Sequence, residues 1–204
     1  MPRFTESWFD GHIPGWEHLF FRELGWDPAA PRRIVEIGCF EGRATIWMLE
    51  NLLRHPDSRI HCIDSFAGGA EHHTRQVERL HERFRANIEE SGHAAKVEVL
   101  HGNSADGLLR LIARGDVAPA MIYVDGSHEA PDVLSDLVLS FRLAPPGGVI
   151  LCDDYLWSRE AEGSTDLLHC PKLAIDAFTN IYRRRIEFLG ARLGGQVAFR
   201  KRAA

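Results

Sequence analysis

The chain has 204 residues, enough for one domain with a full layered core, and 45% of them are hydrophobic, an ordinary globular share. Its formal net charge of -5 excludes a broad phosphate-binding face, so no nucleic-acid partner is expected. No apolar run approaches the roughly 20 residues a membrane span requires, and the start Met1-Pro2-Arg3-Phe4 never enters a secretory apolar core; no membrane partner and a cytoplasmic location are expected.

The N-terminal stretch is rich in aromatics: Trp8, Phe9, Trp16, Phe20, Phe21 and Trp26. Trp16, Leu19, Phe20 and Leu24 have helical spacing, which predicts a short amphipathic helix within an N-terminal extension, residues 1–30, ahead of a main domain over residues 31–204. The helix is expected to pack on the core or on a second copy of the chain, which would make a homodimer. A lid over a ligand is the sharper alternative. Pro28 and Pro31 punctuate the entry to the first strand.

Apolar strand-like runs then alternate with helical patterns. Arg33–Gly38 reads as strand one and Gly42–Arg54 as a helix; Arg59–Asp64 is strand two, followed by a helix from Glu71 to Ser91. Lys96–His101 is strand three, Asp106–Arg114 a helix and Ala120–Asp125 strand four. Val133, Leu137 and Phe141 share one face of the next helix, and a Pro-Pro-Gly-Gly stop precedes strand five, Gly148–Cys152. A helix over Lys172–Tyr182 leads to Arg185–Leu189 and Gln196–Arg200, a closing hairpin around Gly194-Gly195. This alternation specifies an α/β fold with a doubly wound, mostly parallel seven-stranded sheet and a C-terminal antiparallel hairpin. Such sheets bind ligands at the carboxyl ends of their strands.

Four cysteines, Cys39, Cys62, Cys152 and Cys170, form no C-x-x-C pair, and three sit in or beside apolar runs, as reduced buried thiols do. Two short basic runs, Arg183-Arg184-Arg185 and Arg200-Lys201-Arg202, are expected to be solvated surface.

The chemistry collects at the strand ends. Strand one ends in Glu36-Ile37-Gly38-Cys39-Phe40-Glu41-Gly42, where glycines let the backbone turn sharply and approach a ligand. This is neither the dinucleotide fingerprint G-x-G-x-x-G nor a phosphate-cradling loop, since no Gly-Lys-Ser/Thr follows. Strand two ends in Ile63-Asp64-Ser65, placing an acid where it can accept hydrogen bonds from ribose hydroxyls or cap the following loop. After strand three, Asn103 and Ser104 can reach an adenine edge, or Ser104 can cap the next helix. Strands four and five are neighbours in this topology, so Asp125, Asp153 and Asp154 should surround one point. Three crowded carboxylates repel unless a proton or cation intervenes, and a hard divalent ion such as Mg²⁺ suits oxygen ligands. His128, three positions past Asp125, stands at the rim as a candidate base. His72 and His73 are expected at a solvated helix start.

These residues resemble class I methyltransferases, and more narrowly metal-dependent O-methyltransferases of the macrocin and cephalosporin-hydroxylase-like kind; catechol O-methyltransferases are more distant. The resemblance rests on the Glu36-x-Gly38-x-x-x-Gly42 turn, Asp64, the Asp125-Gly126-Ser127-His128 stretch and Gly147-Gly148 through Asp153-Asp154. It implies a Rossmann-like methyltransferase fold, with S-adenosylmethionine held by Glu36, Gly38, Phe40, Gly42, Thr45, Asp64, Ser65, Asn103, Ser104 and Asp125. It further implies a divalent metal on Asp125, Asp153 and Asp154, with Asp125 and His128 catalytic and a small-molecule hydroxyl (sugar, natural product or catechol-like diol) as acceptor. The family often has serine or threonine where this chain has Ala44, so Thr45 or backbone amides are expected to make that cofactor contact. The competing expectations are a metal-independent methyltransferase and a catalytically silent cofactor-binding module; a nicotinamide dehydrogenase is disfavoured by the missing fingerprint.

Overall fold

A computed structural model describes residues 1–69, 74–158 and 167–203. His72, His73 and most of the loop between Ser158 and His169 lie outside these described residues.

Seven strands form one sheet: β1 (Arg33–Ile37), β2 (Arg59–Asp64), β3 (Val97–His101), β4 (Met121–Val124), β5 (Val149–Cys152), β6 (Ile186–Phe188) and β7 (Val197–Lys201). Their order is β3-β2-β1-β4-β5-β7-β6, with β1 to β5 parallel and β7 running antiparallel between β5 and β6. The order reverses between β1 and β4, which opens a crevice at their carboxyl ends. The doubly wound sheet and its closing hairpin are as the sequence predicts.

Strand side chains alternate between two cores. Ile34, Met121, Tyr123, Val149 and Leu151 face one; Val35, Ile37, Ile122, Val124, Ile150 and Cys152 face the other. The first core is covered by α2 (Arg43–Asn51) and α4 (Leu80–Glu90), the second by α5 (Ser104–Arg114), α6 (Ala130–Leu143) and α7 (Pro171–Tyr182). The N-terminal segment joins the first core. It winds through a 3-10 turn (Trp8–His12), the short helix α1 (Ile13–Glu17) and a π-turn (His18–Glu23). Trp16, Leu19 and Phe20 are fully buried, and the Trp16 ring meets Trp47 at 5.5 Å and Tyr123 at 4.9 Å, both edge-on. The expected apolar stripe therefore exists and packs on this chain's own core, though on a backbone that is not one regular helix.

Two other expectations need correction. The helix read across Glu71–Ser91 is broken: a short α3 (Thr74–Val77) ends before Arg79, whose left-handed φ of 56° interrupts the winding ahead of α4. The tail Arg200-Lys201-Arg202 is not simply solvated. Lys201 Nζ donates to the Phe141 and Ala144 carbonyls at 2.8 and 2.7 Å, satisfying the C-terminal end of α6 where a cation is favoured, and Arg200 pairs with Glu187 at 2.9 Å. Arg183, Arg184 and Arg185 are exposed. Cys39, Cys62 and Cys152 are buried free thiols.

Candidate active site

Parallel pairing continues past the strands and aligns their ends. The Gly38 amide donates to the Ile63 carbonyl, Asp125 to Ile37 and Asp153 to Val124, at 2.8–2.9 Å. The loops therefore leave the sheet side by side, and a cleft of about 820 Å³ opens over them. Gly38, Phe40, Asp64, Ser65, Asn103, Ser104, Asp125, His128, Asp153 and Asp154 all line it.

On the β1–β2 side, backbone geometry dictates residue type. Gly38 has φ 80°, and a Cβ there would lie 1.9 Å from the Asp125 carbonyl oxygen, so only glycine lets β1 and β4 end this close. Asp64 supports the turn: its Oδ2 accepts from the Cys39 and Phe40 amides at 2.6 and 3.0 Å, and Oδ1 from Phe66 at 2.6 Å. These bonds fix the loop and leave other lone pairs of the carboxylate available.

Glu36 lies deeper. It is fully buried, and its Oε2 accepts the Thr45 hydroxyl at 2.6 Å. Burial pushes its carboxyl up to about 8, against the pull of Thr45 and Cys62, so it is largely protonated at neutral pH.

The β4–β5 side is crowded with negative charge. One carboxylate oxygen from each of Asp125, Asp153 and Asp154 falls within a 4.8 Å group. Burial, and then the neighbouring Asp153 and Asp154, push the Asp125 carboxyl well above the usual carboxylate range. Asp153 is held from several directions: the Tyr123 hydroxyl and Gln196 Nε2 (2.9 Å) donate to its Oδ2, and the Asp154 amide donates to Oδ1 at 2.7 Å. Asp154 has φ 56°, a left-handed turn that aims its side chain back at the cluster. His128 Nε2 meets Asp154 Oδ2, and the imidazole stacks on Trp157 with centroids 4.3 Å apart.

The family model described as Methyltransferase domain matches residues 35–155, a span that includes the carboxyl ends of β1 to β5. The chain belongs to this methyltransferase family. Solved structures agree on the methyltransferase fold. The O-methyltransferase TomG from Streptomyces achromogenes, involved in tomaymycin synthesis and solved with SAM, is 22% identical at a TM-score of 0.66; the match covers 100% of this chain and 84% of that one. An O-methyltransferase from Bacillus cereus in complex with SAH is 20% identical at 0.66, covering 98% and 84%. A putative rRNA-methylase from Clostridium thermocellum is 11% identical at 0.63, covering 98% and 99%. No curated protein matches the sequence.

Within this methyltransferase, two residues read from sequence as cofactor contacts, Thr45 and Gly42, take other places. Thr45 is fully buried and spends its hydroxyl on Glu36, so it does not replace the missing side-chain contact at Ala44; Ala44 itself lines the cleft. Gly42 is the left-handed N-cap of α2, packed toward Phe84. Asn103, not Ser104, caps α5, accepting from the Asp106 amide at 2.8 Å and donating to the Asp106 carboxylate at 2.7 Å.

Other residues of the site carried no readable signal. Glu41, 1% exposed, accepts from the Thr5 amide and hydroxyl and from Arg83, tying the N-terminus to α4 at the cleft wall. His12 and Gln196 reach Asp153 from opposite ends of the chain. Asp136 is buried on α6 behind Gly126, and burial pushes its carboxyl to about 7.

Proposed function

We propose that this methyltransferase transfers a methyl group from S-adenosylmethionine to a hydroxyl of a small molecule, with a divalent cation such as Mg²⁺ and His128 assisting. The observation that carries this reading is the convergence of Asp125, Asp153 and Asp154 beside the glycine turn of β1. Carboxylates crowded at a water-accessible cleft have the hard oxygen donors and excess negative charge that suit a divalent cation. The SAM and SAH complexes of TomG and the Bacillus cereus enzyme support the choice of cofactor. The net charge of -5 supports a small-molecule acceptor over RNA.

The residues divide the work along the cleft. Asp64 and Ser65 would receive the ribose, Ser104 and Asn103 the adenine edge, and Gly38 with the Phe40 backbone the methionyl portion. S-adenosylmethionine brings an already activated methyl, so the protein chiefly positions the acceptor oxygen in line with it. A cation held by Asp125, Asp153 and Asp154 would lower the pKa of the acceptor hydroxyl. Asp154 engages the His128 Nε2 and Trp157 stacks on its face, so the imidazole that would take the acceptor's proton is held at the rim beside the carboxylates. Tyr123 and Gln196 keep Asp153 pointed into the cleft.

The test is calorimetric titration of S-adenosylmethionine into chelator-treated protein, followed by turnover with Mg²⁺ and a panel of sugars, diols and phenolic acceptors. Cofactor binding with cation-dependent turnover is expected. Turnover indifferent to chelation would keep methyl transfer and remove the cation; absence of cofactor binding would overturn the reading altogether. No helix among the described residues is long and apolar enough to cross a membrane.

A further inference from the structure

The acidic cleft has a single permanent cation on its wall. Nine carboxyl side chains line it, and Arg43, the first residue of α2, is the only lysine or arginine that does so among the described residues. Its Nη2 lies 2.6 Å from Asp10 Oδ1 in the N-terminal segment, and its Cζ lies 5.6 Å from the centre of the Phe4 ring. Asp10 is about half exposed and is not part of the cleft wall. A pair this open is weak, and one contact uses little of a planar fork with five N–H donors. Arg43 therefore reaches the cleft with donors to spare.

An acidic wall suits the sulfonium and ammonium groups of S-adenosylmethionine but opposes its carboxylate. That carboxylate needs a donor near the glycine turn, where the methionyl portion would lie. Four amides of the turn are already committed: Gly38 donates to the Ile63 carbonyl, Cys39 and Phe40 to Asp64, and Gly42 to the Cys39 carbonyl. Ala44 has no polar side chain, and Thr45 spends its hydroxyl on Glu36. Arg43 follows the turn directly, and a guanidinium meets a carboxylate through two parallel N–H bonds.

We propose that Arg43 binds the carboxylate of S-adenosylmethionine, taking the place of the hydroxyl side chain that Ala44 lacks. This rests on the S-adenosylmethionine reading above and adds a specificity to it: the cleft discriminates against adenosyl ligands that have no carboxylate. Asp10 tethers the guanidinium from outside the cleft, and the ligand takes donors that Asp10 leaves free.

The experiment titrates the full chain by calorimetry with S-adenosylhomocysteine and with its decarboxylated analogue, S-adenosyl-3-thiopropylamine, which differ only in the carboxylate. Wild type should prefer the carboxylated ligand by about thirtyfold, the worth of a charge-assisted pair. Arg43→Gln should lose that preference to within about threefold while binding the decarboxylated analogue as wild type does. Arg43→Lys should recover part of the preference, since it restores the charge without the fork. Equal binding of both ligands by wild type overturns the role of Arg43 and leaves the cofactor reading standing. A full preference kept by Arg43→Gln also overturns it, because another donor must then hold the carboxylate. Failure of wild type to bind either ligand overturns the cofactor reading and this inference with it. A crystal structure of wild type with S-adenosylhomocysteine decides the question even where a variant folds poorly. A ligand carboxylate oxygen about 3 Å from an Arg43 nitrogen is expected, and one beyond about 4 Å from all of them overturns the assignment.

Discussion

The β1–β2 and β4–β5 halves of the cleft both carry acidic side chains, yet they treat negative charge in opposite ways. In the first half, Asp64 is wrapped by three backbone amides and Glu36 is protonated by burial, so no charge is left uncompensated. In the second, Asp125, Asp153 and Asp154 converge while the surrounding donors, Tyr123, Gln196 and His128, satisfy only some of their lone pairs. One half is finished as folded, which suits a cofactor that should dock without rearrangement. The other crowds carboxylates that need a proton or a cation between them, and there the raised Asp125 carboxyl holds the proton that the proposed cation would displace.

Neutralising one carboxylate of the second half should produce the largest effect. Asp153→Asn keeps a hydrogen-bonding group for Gln196 but removes a charge; turnover should fall about a thousandfold, the size expected for losing metal-assisted charge stabilisation. Cofactor affinity, measured by calorimetry, should stay within about threefold because the β1–β2 half supplies it independently. A comparable loss of cofactor affinity would show that the two halves are one coupled unit.

The opposite substitution sharpens the contrast on the finished side. The Glu36 carboxyl, pushed up to about 8 from an ordinary value near 4.5, keeps a proton in the folded state that the unfolded chain gives up. Its contribution is therefore complete below about pH 4 and is lost as pH rises toward 8. Glu36→Gln keeps a partner for the Thr45 hydroxyl and removes the titration. Denaturant melts should show the two proteins alike at pH 4 and the variant more stable at pH 8 by about 4 kcal/mol. Equal pH dependence would mean that Glu36 is ionised and that the first half also stores charge.

Legibility follows the same division. The parallel sheet was readable because buried strands are short continuous apolar runs with turn residues between them, and the acid trio because it falls at the ends of what become neighbouring strands. Asp64 was readable as an acid at the right strand end, but its three amide partners depend on the loop's folded shape. Thr45 was misplaced for a simple reason: sequence gives its position on α2 but not the face it turns, and that face points inward to Glu36. The break at Arg79 has no glycine or proline to announce it. His12, Glu41 and Gln196 carried no signal because their partners lie far along the chain; Trp16 and Gln196, which bond directly, are 180 residues apart.

That bond supports the smallest prediction. Trp16 Nε1 donates to Gln196 Oε1 at 2.8 Å, and Gln196 Nε2 donates onward to Asp153 Oδ2 at 2.9 Å. Trp16→Phe retains an aromatic ring against Trp47 and Tyr123 but orphans the Gln196 carbonyl, at a cost of about 1–3 kcal/mol in global stability by denaturant melt. The packing loss alone would lower stability without touching the site. If the chain of bonds also orients Asp153, divalent-cation affinity should fall a further severalfold, and Gln196→Ala, which spares the Trp16 ring, should reproduce that loss. A stability change in Trp16→Phe with unaltered cation affinity in both variants would confine the N-terminal segment to packing. A shared loss of affinity would make that segment part of the unfinished half of the cleft, held to it by a hydrogen-bonded line rather than by the core alone.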